Sequence, residues 1–268
     1  MQKVVIVYFE FAQLRQAIAC SLPNIRDTYC VFIVIFCFFH FMHLKENPTG
    51  HIKHIVFDLD GTLIDSAPSI LAGFAAALAE HGISPALPLN DALIGPPLKE
   101  TLKRLTGRDE AELIEALAQA FKAHYDTSGY QASAVYPGIP ELLQSLRAQG
   151  YTLHIATNKR LLPTEKILNF LAWDSYFANV YALDKVSPAF ANKAAMITGL
   201  LQTAAIDPLQ AIYVGDKAED GEAAHANQLP FIAVHWGYGD FSGNEAGCLH
   251  AQVSNDILTL LRSEVVPA

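Results

Sequence analysis

Two aspartates stand two residues apart in the run Asp58-Leu59-Asp60-Gly61-Thr62-Leu63. In an extended chain, side chains two apart point the same way, so both carboxylates can face one space before Gly61 turns the backbone. Such a pair sets a nucleophile beside a proton carrier. Three further polar groups lie downstream: Thr157-Asn158-Lys159, then Lys193, then Gly215-Asp216 with Asp220 four residues on. Taken singly, each has an ordinary reading. Asp-Gly and Gly-Asp make turns, Thr-Asn makes caps, and a lysine opening a helix is commonly surface. Their joint order along the chain is what carries weight.

That order follows the elements that would hold them. Apolar runs at 52–57, 151–156, 177–183, 211–214 and 231–234 read as buried strands. Helical stretches at 139–149, 163–171, 192–203 and 219–227 lie between the later ones. Short apolar strands alternating with helices indicate an α/β fold, a doubly wound parallel sheet covered on both faces. Ligands gather at the carboxyl ends of the strands in such sheets. The polar groups at 58–62, 157–159 and 215–216 fall at strand ends, and Lys193 opens the helix before the fourth strand. The segment 66–135 breaks the alternation. It holds two alanine-rich helical stretches, 68–80 and 109–126, and no clear strand, so it reads as a helical insertion after the first strand.

With these residues in that order, the chain resembles the haloacid dehalogenase-like (HAD) hydrolases, and among them the phosphoglycolate-phosphatase-like members. The four motifs match Asp58–Thr62, Thr157 within Ile155-Ala156-Thr157-Asn158-Lys159, Lys193, and Gly215–Asp220. The likeness spans about residues 52–260. It departs from the family at the third motif, where the Lys-Pro-x-Pro form is absent; Lys185 competes with Lys193, which has the better spacing. The resemblance implies a Rossmann-like core with an inserted α-helical cap. It also implies hydrolysis of a small phosphomonoester, 2-phosphoglycolate by default, through an aspartyl-phosphate on Asp58. Asp60 would be the acid and base. Thr157, Asn158 and Lys193 would bind the phosphate. Mg²⁺ would be held by Asp58, the carbonyl of Asp60 and Asp216, with Asp220 binding through water or bracing Lys193. An aspartate at the second acidic position marks phosphotransfer in this family and disfavours dehalogenation. Other members it implies are a 5′-nucleotidase, a pyrophosphatase or a β-phosphoglucomutase; a non-catalytic binding module is the reading from another class.

Within the insertion, Gly95-Pro96-Pro97 cannot continue a helix and reads as a rigid loop. It resembles the substrate-facing cap loop of the same enzymes, which makes Gly95, Pro96, Pro97 and Lys99 candidate substrate contacts. A plainer reading takes the stretch from Lys99 onward as a solvated amphipathic helix. Trp236-Gly237-Tyr238-Gly239, after the fifth strand, resembles a turn that borders the site in these enzymes.

Composition bounds the rest. Of 268 residues, 51% are hydrophobic and 17% charged, which excludes a disordered chain. A net charge of −9 argues against a nucleic-acid binder but does not forbid the small phosphorylated metabolite that the resemblance implies, because a bound divalent cation can supply local positive charge. Cys20, Cys30, Cys37 and Cys248 have no metal-ligand or disulfide spacing, which fits a cytoplasmic setting. Residues 1–41 differ in composition from the remainder of the chain. The run 29–39 is unbroken apolar and aromatic, too short for a comfortable membrane span of about 20 residues. Membrane contact through 29–44 is the one anchoring option, and Met42 reads as a natural start. The expected division is an atypical extension at 1–50, a core at 51–65 and 136–268, and a cap at 66–135.

Overall fold

The computed structural model describes residues 52–241 and 248–263. The apolar run at 29–44, the start at Met42 and the extension at 1–50 lie outside the described residues. Among the described residues no helix is long and apolar enough to cross a membrane.

Strands β1 (His54–Phe57), β2 (Ile64–Asp65) and β3 (Ala134–Val135) are followed by β4 (Thr152–Thr157), β5 (Phe177–Ala182), β6 (Ala211–Gly215), β7 (Phe231–Val234) and β8 (Leu249–Ala251). Six of them form one sheet in the order β5-β4-β1-β6-β7-β8, parallel throughout. Alternation fixes its faces. Ile55 and Phe57 of β1, Ile212 and Val214 of β6, and Ile232 and Val234 of β7 join one core with Leu142 and Leu146 of α4 (Ile139–Ala148) and Ile167 of α5 (Leu161–Phe170). Val56, Tyr213 and Phe231 join a second core with Met196 and Leu200 of α6 (Lys193–Thr203) and Ala223 of α7 (Ala218–Ala226). Burial on both faces explains why these strands read as continuous apolar runs.

The strands expected from sequence are present, with ends shifted by one or two residues. The sixth, β8, and helix α8 (Ser254–Arg262) after it had no sequence counterpart, because three residues with one histidine give no apolar run. The insertion also differs in detail. Besides α1 (Ala67–Glu80) and α3 (Ala111–Tyr125) it holds α2 (Leu98–Thr106), the amphipathic helix of the plainer reading, with Leu102 and Leu105 buried. Its ends meet in a small antiparallel ribbon, Ile64 opposite Val135 and Asp65 opposite Ala134, so the segment is not free of strand. Two-residue strands carry no detectable period. The three helices pack on one another around Phe74, Leu102, Leu117 and Phe121.

A polar ladder crosses the sheet away from its carboxyl ends. Asn179 lies 3.1 Å from His154 Nδ1, and His154 Nε2 lies 3.1 Å from His54 Nδ1. With the amide nitrogen donating to Nδ1, the His154 proton sits on Nε2 and is donated to His54. The ladder is complete only with both rings neutral. Burial, with His54 beside it, lowers the His154 pKa to about 4; burial and Lys53 lower that of His54. A histidine pKa lowered by folding contributes stability that is whole above its unfolded value near 6.5 and is lost as pH falls from there towards 4. The expected result is a loss of about 2 kcal/mol from His154 between pH 7 and 4.5. Urea unfolding midpoints of the parent and His154→Gln at both pH values give it by difference, and equal slopes for the two proteins would refute it.

Candidate active site

The chain order β1, β4, β5, then β6 on the other side of β1, makes the β1/β6 edge the point where the sheet's winding reverses. Open α/β sheets bind ligands at such a point. Asp58 follows β1 directly, its N–H held by Val214 O of β6 at 2.9 Å, and Gly215-Asp216 ends β6 beside it. The chain then turns sharply, Gly61 N–H donating to Ile64 O at 2.8 Å. Gly61 has φ +87°, and a Cβ there would overlap the Asp216 carboxylate. Only glycine permits both the conformation and the approach. From the other side, Trp236 Nε1 donates to Thr62 O at 2.9 Å, and Tyr238 N–H donates to Asp216 Oδ2 at 2.8 Å. Two loops thus clamp one aspartate.

Asp58, Asp216 and Asp220 are buried, and each offers a carboxylate oxygen within 4.8 Å of the others. Lys193 enters from the start of α6. Its ammonium lies 3.2 Å from Asp58 Oδ1 and hydrogen bonds to Asp220 Oδ1. Asp220 is further fixed by Lys217 N–H at 3.0 Å. The contact with Asp58 is an ion pair off the axis a hydrogen bond needs, so Asp58 Oδ1 is buried with no hydrogen-bond partner. Burial pushes the Asp58 carboxyl up to about 8; Lys193 opposes this, while Asp220, Asp216 and Asp60 add to it. Burial, then Asp220, push Asp216 up to about 6 against the pull of Tyr238 N–H. Burial alone would lower the Lys193 pKa, but Asp220 and Asp58 hold it well above the ordinary lysine value.

Asp60 points elsewhere. Lys159 Nζ stands 3.0 and 3.2 Å from its two oxygens, and Ser66 Oγ donates to Oδ1 at 2.5 Å. Lys159 in turn lies 4.7 Å from the ring centre of Tyr125 at the end of α3. Burial would depress this lysine, yet Asp60 and then Tyr125 raise its pKa. Thr157 is buried and its Oγ1 accepts from Lys159 N–H at 3.2 Å. Asn158 donates both amide hydrogens, to Gly95 O and Glu219 Oε1, each at 3.1 Å. Its side chain keeps no donor for a phosphoryl oxygen; only its main-chain N–H could serve the phosphate-binding role expected of it.

The cluster suits a divalent cation. Four carboxylates (Asp58, Asp60, Asp216 and Asp220) face two ammonium groups (Lys159 and Lys193), which leaves two negative charges. An orphaned buried oxygen on Asp58 and two carboxyls raised by burial and then by their neighbours' charge have the same remedy, a hard cation with oxygen ligands. Asp58 Oδ1 is the open oxygen of the cluster; those of Asp216 accept from Tyr238 N–H at 2.8 Å and from Thr62 Oγ1 at a longer 3.4 Å. Both oxygens of Asp220 are engaged, one by the Lys193 ammonium and one by Lys217 N–H.

A cavity of about 60 Å³ between the insertion and the strand ends reaches Asp60 and is lined in part by Gly95 and Pro96. Lys217 Nζ ties the loop to the core through Ile94 O at 2.5 Å. Pro97 immediately precedes α2, and Lys99 is not among the lining residues; its ammonium pairs with Glu115 on α3 at 2.7 Å. Lys185 is remote from the cluster, bonded to Val180 O at 2.7 Å and exposed. Sequence reasoning gave no role to Lys159, Ser66 or Tyr125. Lys159 carried a signal, since it closes the same strand-end triplet as Thr157. Tyr238 was legible only as part of its Gly-flanked turn. Its hydroxyl accepts from Ser66 and Ala67 N–H at 2.8 and 3.0 Å and donates to Asp65 Oδ1 at 2.8 Å, joining the Asp216 clamp to the hinge of the insertion.

The chain also matches known proteins. The model of the family "Haloacid dehalogenase-like hydrolase" matches residues 55–234. A 5′-nucleotidase of Pseudomonas aeruginosa is 33% identical over 187 residues, 69% of this chain and 84% of that protein. A phosphoglycolate phosphatase of Agrobacterium fabrum is 34% identical over 192 residues, 69% of this chain and 81% of that protein. The crystal structure of a predicted phosphatase from Clostridium acetobutylicum superposes with a TM-score of 0.70 at 28% identity, over 78% of this chain and 99% of that one.

Proposed function

The chain belongs to the haloacid dehalogenase-like hydrolases, and from that premise we propose that it is a Mg²⁺-dependent phosphatase that cleaves a small phosphomonoester through a covalent aspartyl-phosphate on Asp58. One observation carries the reading: three buried carboxylates converge with Lys193 at the reversal point of the sheet. The names of the relatives point to two kinds of ester, phosphoglycolate and a nucleoside 5′-phosphate. The proposal is for the phosphomonoester chemistry they share.

Asp58 Oδ1 attacks phosphorus, and the bond from phosphorus to the leaving oxygen breaks. Asp60, at the mouth of the cavity, gives that oxygen its proton. In the second half a water loses its proton to Asp60 and attacks phosphorus, breaking the bond to Asp58 and releasing inorganic phosphate. Lys193, the Thr157 hydroxyl and the main-chain N–H groups after Asp58 and Thr157 hold the phosphoryl oxygens, where charge accumulates in the transition state. A bound Mg²⁺ would supply the two missing positive charges and polarise the phosphoryl group; Asp58, Asp216 and the Asp60 carbonyl would hold it. The insertion acts as a cap, its Gly95–Pro96 loop meeting only the leaving group.

The test is phosphate release from a generic aryl phosphate. Activity is expected with Mg²⁺ and a fall of at least about 100-fold with a chelator, because the site's charge is then uncompensated. Ca²⁺ should restore little of it, since its looser coordination displaces the attacking carboxylate. Full activity in chelator would overturn the metal-dependent reading.

A further inference from the structure

The cavity beside Asp60 has walls of Ile70, Phe74, Leu93, Ile94, Pro96 and Phe121. Its volume is several times the ~10–15 Å³ that admits one water, so it suits a leaving group of a few heavy atoms. Its charges are already spent on one another. Lys159 is paired with Asp60 at 3.0 Å, and Arg160 makes a two-pronged bridge to Asp126 at 2.7 and 2.5 Å. In the free protein both lining cations are paired, so none stands open to an anionic leaving group. A carboxylate brought here would be desolvated against apolar side chains without a partner, which is strongly unfavourable.

Two polar atoms on lining residues have the opposite need. The Tyr125 hydroxyl and Asn158 Oδ1 are buried with no hydrogen-bond partner. Lys159 Nζ lies 4.7 Å from the centre of the tyrosine ring and makes no hydrogen bond of good geometry to the hydroxyl. The orientation of Asn158 is fixed, because both of its amide contacts, Gly95 O and Glu219 Oε1, are acceptors and must meet the nitrogen. Its oxygen therefore waits for a donor. An unmet buried group weakens the free protein, and a ligand that meets it recovers the loss.

We propose that this cavity selects phosphomonoesters whose leaving group is small, uncharged and hydroxyl-bearing. The ligand hydroxyl donates to Asn158 Oδ1 or pairs with Tyr125, while its carbons lie against Ile70, Phe74 and Phe121. The inference rests on the phosphatase reading above and departs from the 2-phosphoglycolate expectation.

The experiment compares kcat/KM of the Mg²⁺-loaded enzyme on 2-hydroxyethyl phosphate, ethyl phosphate, 2-phosphoglycolate, phosphoethanolamine and an aryl phosphate. The hydroxyl ester should exceed ethyl phosphate by about 10-fold and 2-phosphoglycolate by at least about 100-fold, the order of discrimination a site with unmet polar groups imposes. In Tyr125→Phe the ratio of hydroxyl ester to ethyl ester should narrow severalfold. If 2-phosphoglycolate or phosphoethanolamine is preferred, or that ratio is unmoved by Tyr125→Phe, the inference is overturned while aryl phosphate turnover keeps the phosphatase reading intact. If no ester is cleaved, the aryl phosphate included, both fall.

Discussion

Asp58→Asn should abolish turnover without harming the fold. The amide keeps the shape of the carboxylate but cannot displace an alkoxide from phosphorus, so kcat on an aryl phosphate should fall by about 10⁴-fold or more, as for removal of other enzymic nucleophiles. The stability effect should have the opposite sign. Asp58 is buried among three other carboxylates, with only Lys193 to favour its ionised form, and its pKa is pushed up to about 8. At neutral pH and without a cation, Asp58 must take up a proton to be buried there, a cost that an amide does not carry. The thermal midpoint of Asp58→Asn in chelator should therefore equal or exceed that of the parent. Added Mg²⁺ should raise the parent midpoint more than the variant's, since the variant has lost a charged ligand. Mass spectrometry must first exclude deamidation back to aspartate. Residual activity within 10-fold of the parent in an undeamidated sample would end the covalent mechanism.

The grouping of the candidate site was legible because its parts are local and ordered. Asp58, Thr157 and Asp216 each follow an apolar strand, and in a parallel sheet sequence order and strand ends together fix which residues share a rim. Lys193 was identifiable by its distance from the last motif, and it lies at Asp58 where Lys185 does not. What sequence could not supply were contacts between segments far apart in the chain. Nothing near Lys159 announces that its ammonium reaches back 99 positions to Asp60, and nothing near Tyr125 places its ring beneath that ammonium. The same limit hid the duty of Asn158. The resemblance implies phosphate contact for Asn158, but its amide is occupied in part by a cap carbonyl 63 positions away. In the fold, β8 and the β2–β3 ribbon escaped because two or three residues carry no period, although their pairing is definite in three dimensions.

Lys193→Met should lower both stability and rate, and the two losses should respond differently to remedy. The ammonium is buried between Asp58 and Asp220 and stands 5.9 Å from the centre of the Tyr213 ring. Methionine fills much of the stem volume but leaves three neighbouring carboxylates without a countercharge, which should cost about 3–5 kcal/mol, the usual result of removing one member of a buried pair. Saturating Mg²⁺ should return part of that, because a cation in the cluster replaces some of the lost charge. It should not return the rate. Lys193 is assigned to the phosphoryl oxygens, so its loss removes transition-state stabilisation from every ester alike, by about 10³-fold. Lys193→Arg provides the control for folding. It keeps the charge, should unfold near the parent midpoint, and should still be slow, because a planar guanidinium cannot occupy the point that an ammonium held against Asp220 occupies. The decisive comparison is kcat/KM on an aryl phosphate, ethyl phosphate and 2-hydroxyethyl phosphate for parent, Met and Arg variants. Parallel losses across all three substrates are the expected result. Losses confined to one ester would move Lys193 from the transferring phosphoryl to the leaving group, and the division of labour between strand ends and cap would have to be redrawn.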